Sequence, residues 1–348
     1  MSLLAYFAPT LAPTPTPTPA LAPATGPLGT PPAPIRPAAP APRLTSTVAK
    51  EYVHRACHAE VFITGSEPLG DTAFTVTAQW PRAHTFFSTP DGTGYDPMLA
   101  AETVRQAGLY LAHTRYGVPL DHRFMMWNLD YTARARRLSI GETPTDLTIE
   151  ARLLPRPRRT RSTVDFTFTA TVRRGPHLAA TGEARFTTVP DSTYRRLRGA
   201  RPVGSPIPEA AEAGTARPLP PTLVGRVRPC DVVLTPTDTP GTWLLTPDLR
   251  HPILFDHAGD HIPGMVLLEA ARQAANALGA PATIAPVTIA PTAAATTFHR
   301  YAEHDAPTTV TARRTPGEEP DTVTTTVTGR QHGEPVFTTV LTGRPDRG

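Results

Sequence analysis

A chain of 348 residues can hold two domains with separate cores, and no apolar run in it approaches the ~20 residues needed to span a bilayer. The formal charge is only +4, with Lys50 the single lysine and Asn128 and Asn276 the only asparagines. Together with abundant Ala, Pro, Thr and Gly, that bias reads as GC-rich coding rather than as function. Two cysteines exclude a disulfide framework, Lys50 is poorly placed for Schiff-base chemistry, and no basic start marks a signal peptide, so a cytoplasmic protein is expected.

Residues 1–45 are dominated by Pro, Ala and Thr, including the alternating run Pro13 to Pro19. With little apolar bulk and few amide donors, this segment reads as a disordered tail, with a Pro-rich docking segment as the lesser alternative. The first compact unit is expected over 46–200. It opens with Cys57 to Thr64, read as an apolar strand with a buried thiol, and continues with alternation over Phe74–Ala78. A helix is expected from about Pro97 to Arg115, with Asp96 able to cap it. Phe166, Phe168, Ala170 and Val172 alternate with polar residues as in a half-buried strand. Arg152, Arg156, Arg158, Arg159 and Arg161 read as a solvated inter-strand loop, or as a docking patch for an acidic carrier protein. A Pro-rich linker is expected over 201–222 and a second unit over 223–346. That unit holds Cys230 in a second apolar strand, a helix from about Pro263 to Leu278 ended by Gly279, and strands over Thr308–Arg314 and Val323–Thr328.

The two halves repeat each other. Met98, Glu102, Arg105, Gln106 and Ala107 match Met265, Glu269, Arg272, Gln273 and Ala274 at a constant displacement of 167, which His84 and His251 share. Cys57 to Thr64 also resembles Cys230 to Thr235 with a small gap. Each half then has the order strand, helix, antiparallel strands. The expected fold is α+β, a tandem (double) hotdog with two long central helices, each wrapped by a curved antiparallel sheet. Such units pair within one chain, which covers sheet edges; further homodimerisation is left open.

Glu269, Arg272 and Gln273 share one helix face, and Glu102, Arg105 and Gln106 repeat the arrangement. A solvent-facing ion pair is the bland reading, but Met265, Leu268 and Ala271 make the helix apolar, so the charges need each other or a ligand. Asp256-His257-Ala-Gly-Asp260-His261-Ile-Pro263-Gly264 leads into the second helix. His257 is a candidate base, and Gly264 lets a thioester carbonyl approach free helix amides, although the loop residues could equally serve only to shape a turn. His84 is the first-half candidate, against an aromatic cluster at a strand end. No metal-ligand spacing, phosphate-binding glycine loop or nucleic-acid motif accompanies these residues, and no cofactor is called for.

Ala78 to His84, Asp96 to Gly108, Tyr194 to Gly199 and Asp260 to Ala274 resemble the A-factor biosynthesis (AfsA-type) hotdog family of streptomycetes and relatives, over nearly everything from residue 50 onward. The resemblance implies an acyltransferase that joins a β-ketoacyl group, delivered by acyl carrier protein, to the hydroxyl of dihydroxyacetone phosphate on the way to γ-butyrolactone-type signals. It implies important roles for Glu102, Glu269 and Arg272. A more distant likeness to carrier-protein dehydratases places His257 at the dehydratase histidine. The expected site draws catalytic groups from Glu269, Glu102, His257 and His84 and substrate-binding groups from Arg272, Arg105, Gln273 and Gly264, with the second helix holding the thioester. Glu269→Ala is expected to abolish turnover without unfolding the chain. A same-fold dehydratase or thioesterase and a non-catalytic acyl-binding regulator are the alternatives.

Overall fold

The structure, a computed structural model, describes residues 45–157, 163–199, 217–278 and 289–345. The expected tail up to residue 44, most of the expected linker, Gly279, and Arg158, Arg159 and Arg161 lie outside these residues. The first half contains β1 (Ile63–Pro68), β2 (Ala73–Trp80), α1 (Met98–Tyr116), β3 (Arg123–Ala133), β4 (Thr145–Pro157), β5 (Val164–Arg174), β6 (His177–Val189) and α2 (Asp191–Arg198). The second contains β7 (Leu234–Pro236), β8 (Thr242–Leu245), α3 (Gly264–Ala277), β9 (Ile289–Phe298), β10 (Thr309–Pro316), β11 (Val323–Gln331) and β12 (Glu334–Pro345).

All twelve strands form one sheet in the order β1-β2-β4-β5-β6-β3-β9-β12-β11-β10-β8-β7. That order is a palindrome of the repeat. β3 and β9 are counterparts, each with one residue skipped in its ladder (Trp127 and Thr292, 165 positions apart), and they pair antiparallel at the middle, where Asp130 lies opposite Ala295, its equivalent at that displacement. The edges left over are short strands, six residues in β1 and three in β7, which limits the unpaired backbone exposed to other chains.

The strand pattern follows burial. In β5, Phe166, Phe168, Ala170 and Val172 are buried and the residues between them are not, as period-2 alternation requires. α1 is buried along most of its length and packs on β6, where glycine is required: a Cβ on Gly182 would sit 2.3 Å from Val104 Cγ2. Gly117, with φ 64°, ends α1 in the left-handed conformation. From Met265 to Asn276 every residue of α3 is buried. No helix among the described residues is long and apolar enough to cross a membrane.

Two expectations need correction. Cys57 is exposed and Cys230 only half-buried, and both flank or occupy 3-10 turns (His58–Glu60 and Pro229–Asp231) rather than strands. The turns exist because Glu60 and Asp231 point inward to pair with His84 and His251; strand pairing begins only at Ile63 and Leu234. Arg152 and Arg156 lie exposed on β4 itself, not in a loop.

Candidate active site

α1 and α3 each carry one buried carboxylate held by arginines. Glu269, at 0% exposure, accepts Arg226 Nε and Nη2 at 2.8 and 2.6 Å, Arg272 Nε and Nη2 at 2.9 and 2.7 Å, and Gln273 Nε2 at 2.5 Å. Glu102, also at 0%, accepts Arg55 Nε at 3.0 Å, Arg105 Nε and Nη2 at 2.9 and 2.7 Å, and Gln106 Nε2 at 2.7 Å. Burial alone would raise both carboxyls, but the paired guanidinium groups outweigh it and hold each down at about 2. The glutamine completes the node by accepting a backbone amide, Phe62 for Gln106 and Val233 for Gln273, and donating to the carbonyl of Glu60 or Asp231.

Arg55 and Arg226 also tie the halves together reciprocally. Arg55 Nη1 donates to the Ile253 carbonyl at 3.0 Å, and Arg226 Nη1 donates to the Phe86 carbonyl at 2.5 Å, a position equivalent to Ile253. His84 and His251 fold the loops that present those carbonyls. Nδ1 of each accepts two amides, Phe86 and Phe87 or Ile253 and Leu254, so Nε2 carries the proton donated to Glu60 or Asp231. Cys230, Asp231 and His251 come within 4.8 Å of one another, a spacing that suits a metal. The donor set does not fit one: His251 Nε2 is a donor here, and Asp231 is held bidentately by Arg228 at 3.0 and 2.6 Å.

A cavity of about 1020 Å³ opens between the halves, beside the N-terminal end of α3. Its lining is part apolar, including Leu109, Met126, Leu129, Met265 and Phe298, and part polar, including Arg105, Asp256, His257 and His261. No side chain caps α3, and while Val266 and Leu267 donate to the Pro263 carbonyl, the Gly264 and Met265 amides are left available where these two residues line the cavity. Gly264 matters here because a Cβ would press on the Phe298 ring at 3.2 Å.

Two Asp–His pairs border this helix end. Asp256, whose side chain is 2% exposed, accepts His257 Nδ1 at 2.5 Å and the Ala56 amide at 2.9 Å, and lies 3.4 Å from Arg55. Burial would raise the Asp256 carboxyl, but His257, Arg55 and the Ala56 amide hold it below the usual range. His257 is 56% exposed, with its Nε2 edge unused. Asp260 accepts His261 Nδ1 at 2.7 Å, Tyr194 Oη at 2.9 Å and Arg198 Nε at 3.0 Å. Arg198 continues to Glu303 at 2.5 and 2.7 Å, so α2 pins the loop before α3.

Of the residues singled out in the sequence, Arg105, His257 and Gly264 line the cavity. Glu102 lies in a buried node whose Arg55 and Arg105 reach the cavity, Glu269, Arg272 and Gln273 form the equivalent node beside Phe86 and Asp96, and His84 braces a loop of the first half. Arg55, Arg226 and the two loop carboxylates that serve them, Asp96 and Asp256, were not picked out as site residues. Extending the repeat upstream exposes the arginines: Val53-His54-Arg55 matches Val224-Gly225-Arg226 at a displacement of 171, as do Glu60 and Asp231.

The sequence profile of the A-factor biosynthesis hotdog domain matches residues 38–190 and 208–345. This chain belongs to that family. A 2-oxo-3-(phosphooxy)propyl 3-oxoalkanoate synthase of Streptomyces virginiae is 40% identical over 302 residues, covering 86% of this chain and 98% of the relative. The synthase of the same name from Streptomyces griseus is 42% identical over 296 residues, 84% of this chain and 94% of the relative. Among solved structures, a putative oleoyl thioesterase from Lactobacillus plantarum aligns with a TM-score of 0.45 and 13% identity, covering 79% of this chain and 96% of that one. Within the A-factor biosynthesis hotdog family, then, this chain carries an Asp–His pair with an exposed imidazole beside an uncapped helix end, and one buried carboxylate node on each of α1 and α3.

Proposed function

We infer that this chain is a 2-oxo-3-(phosphooxy)propyl 3-oxoalkanoate synthase: an acyltransferase that moves a β-ketoacyl group from a carrier-protein thioester to a hydroxyl of dihydroxyacetone phosphate. The observation that carries this is the identity to synthases of that name across nearly their whole length. The name fixes the product as an ester of a 3-oxo acid with that phosphorylated triose.

The cavity has the parts such a transfer needs. The thioester carbonyl sits at the amide end of α3, where the Gly264 and Met265 N–H groups and the helix dipole favour negative charge on its oxygen. His257, oriented by Asp256, takes the proton from the attacking hydroxyl at Nε2. The new C–O bond forms as a tetrahedral oxyanion, the C–S bond then breaks, and the proton on His257 passes to the leaving thiol of the carrier. The apolar wall accommodates the acyl chain. Arg105, whose Nη1 has no protein partner among the described residues, supplies charge for the phosphate.

In this reading, Glu102 and Glu269 are positioning residues. Their lone pairs are taken and their carboxyls are held near 2, so they fix Arg55, Arg105, Arg226 and Arg272 rather than accept a proton from substrate. Arg272 and Gln273 belong to the same buried node, and His84 to the brace that presents Phe86. The two hotdog units are taken as residues 46–200 and 223–346, each sheet half curving around its own helix.

Incubating the chain with a β-ketoacyl carrier-protein thioester and dihydroxyacetone phosphate, followed by mass spectrometry, tests the assignment. The expected species is the phosphorylated ester. Free acid or an enoyl thioester as the sole product would instead support the thioesterase or dehydratase reading.

A further inference from the structure

The two copies of the helix motif differ where each helix begins. Asp96-Pro97-Met98 stands at the positions equivalent to Pro263-Gly264-Met265. At α1, the Asp96 carboxylate accepts the Met98 amide at 2.9 Å and lies 3.4 Å from Arg226 Nη1 and 4.0 Å from Arg272 Nε. Pro97 removes a further amide from the same turn. Asp96 is 6% exposed, between Tyr95 and Met98 at 1% or so each.

At α3 each of these features is reversed. Pro263 brings no acceptor, Gly264 supplies the amide that Pro97 lacks, and both residues face the cavity. The carboxylate serving Arg55 in this half is Asp256, at the same 3.4 Å from Nη1, but it is drawn away from the helix end toward the Ala56 amide and His257. Each arginine node therefore keeps its loop carboxylate, while only one helix end is left empty.

We propose that the chain binds one acyl thioester, at α3, and that Asp96 is a built-in anion closing the α1 end to a second. The proposal rests on reading the α3 end as the thioester site. Asp96 occupies the amide-and-guanidinium environment with a fixed negative charge. An oxyanion forming on a thioester at α1 would meet that charge instead of free amides, and like charges at such range disfavour each other strongly. At α3 the corresponding negative charge arrives only with the substrate and leaves with the product.

The test is a calorimetric titration of the full chain with an acyl-pantetheine analogue carrying methylene in place of the thioester sulfur. One equivalent per chain is expected. Pro263→Asp copies the plug into α3 and is expected to weaken binding at least tenfold; because aspartate is a favoured N-cap residue, its melting temperature should not fall. Two equivalents in the native chain, or unchanged affinity in a folded Pro263→Asp chain, overturns the proposal and leaves the acyl-thioester reading standing. No binding by the native chain overturns that reading and the proposal together. The native stoichiometry decides the matter even if the variant fails to fold.

Discussion

Asp256 fixes the tautomer of His257, because the imidazole gives its Nδ1 proton to a carboxylate that Arg55 and the Ala56 amide already hold in place. Replacing His257 by Ala is expected to lower kcat by roughly 10²–10⁴-fold, the usual worth of a positioned acid–base group. Its side chain is 56% exposed, so the melting temperature should hardly move; an unaltered kcat would remove it from the mechanism. Glu269→Ala should behave in the opposite way. It leaves Arg226 and Arg272 buried without their anion, which costs about 3–5 kcal/mol of stability, measurable as a shift in denaturant midpoint. That replaces the simple expectation of lost turnover in a folded chain. The pH dependence has a definite sign. The carboxyls of Glu102 and Glu269 are lowered from 4.5 to about 2 by folding, so their stabilisation is complete above about pH 4.5 and is lost as the pH falls through 2. Denaturant midpoints measured between pH 5 and pH 2, against Glu269→Gln, read that loss directly. Sequence spacing identified these glutamates as special because a carboxylate on an apolar helix needs partners. It did not show that an arginine from a distant turn, Arg55 for Glu102 and Arg226 for Glu269, completes the pairing.

The two long helices and several alternating strands were legible in the chain because each is a local pattern, Asp96 and Pro97 marking the start of α1 and Phe166 to Val172 alternating through β5, whereas the short α2 was not expected. The 3-10 turns at His58–Glu60 and Pro229–Asp231 were not, since the partners that pull Glu60 and Asp231 inward lie about twenty residues further on. Packing between elements is equally hidden. Gly182 reads as a weak strand residue, yet it is where Val104 of α1 meets β6. Gly182→Ala is expected to cost about 1–3 kcal/mol through overpacking, detected as a lower thermal midpoint. α2 offers a second test at this scale. Arg198→Ala breaks the bonds to Asp260 and Glu303 and should loosen residues 256–263, raising protease nicking there and lowering kcat/KM.

Reciprocity governs the described molecule. Arg55 reaches the second half and Arg226 the first, while β3 and β9 share a ladder from Asn128 to Thr132. Neither half finishes its own hydrogen bonding, so the two should unfold together. Fluorescence of Trp80 in the first half and Trp243 in the second, isolated by Trp→Phe substitution of the others, should follow one coincident denaturant transition. Separate midpoints would show that the halves are independent folding units. The duplication was legible at this scale because spaced polar residues recur at one displacement. The seam was not, because nothing within β3 says which edge will meet it.

The β3–β9 seam runs antiparallel about Asp130 and Ala295, and the pairs to either side exchange equivalents, Leu129 facing Thr296 while Tyr131 faces Ala294. In a dimer of identical chains, the residue on such an axis meets its own copy, and every substitution is made twice. Here the positions are separate codons. One helix can therefore keep Pro-Gly and receive substrate while the other takes Asp-Pro and becomes scaffold, a division of labour that an unfused pair has no means of encoding.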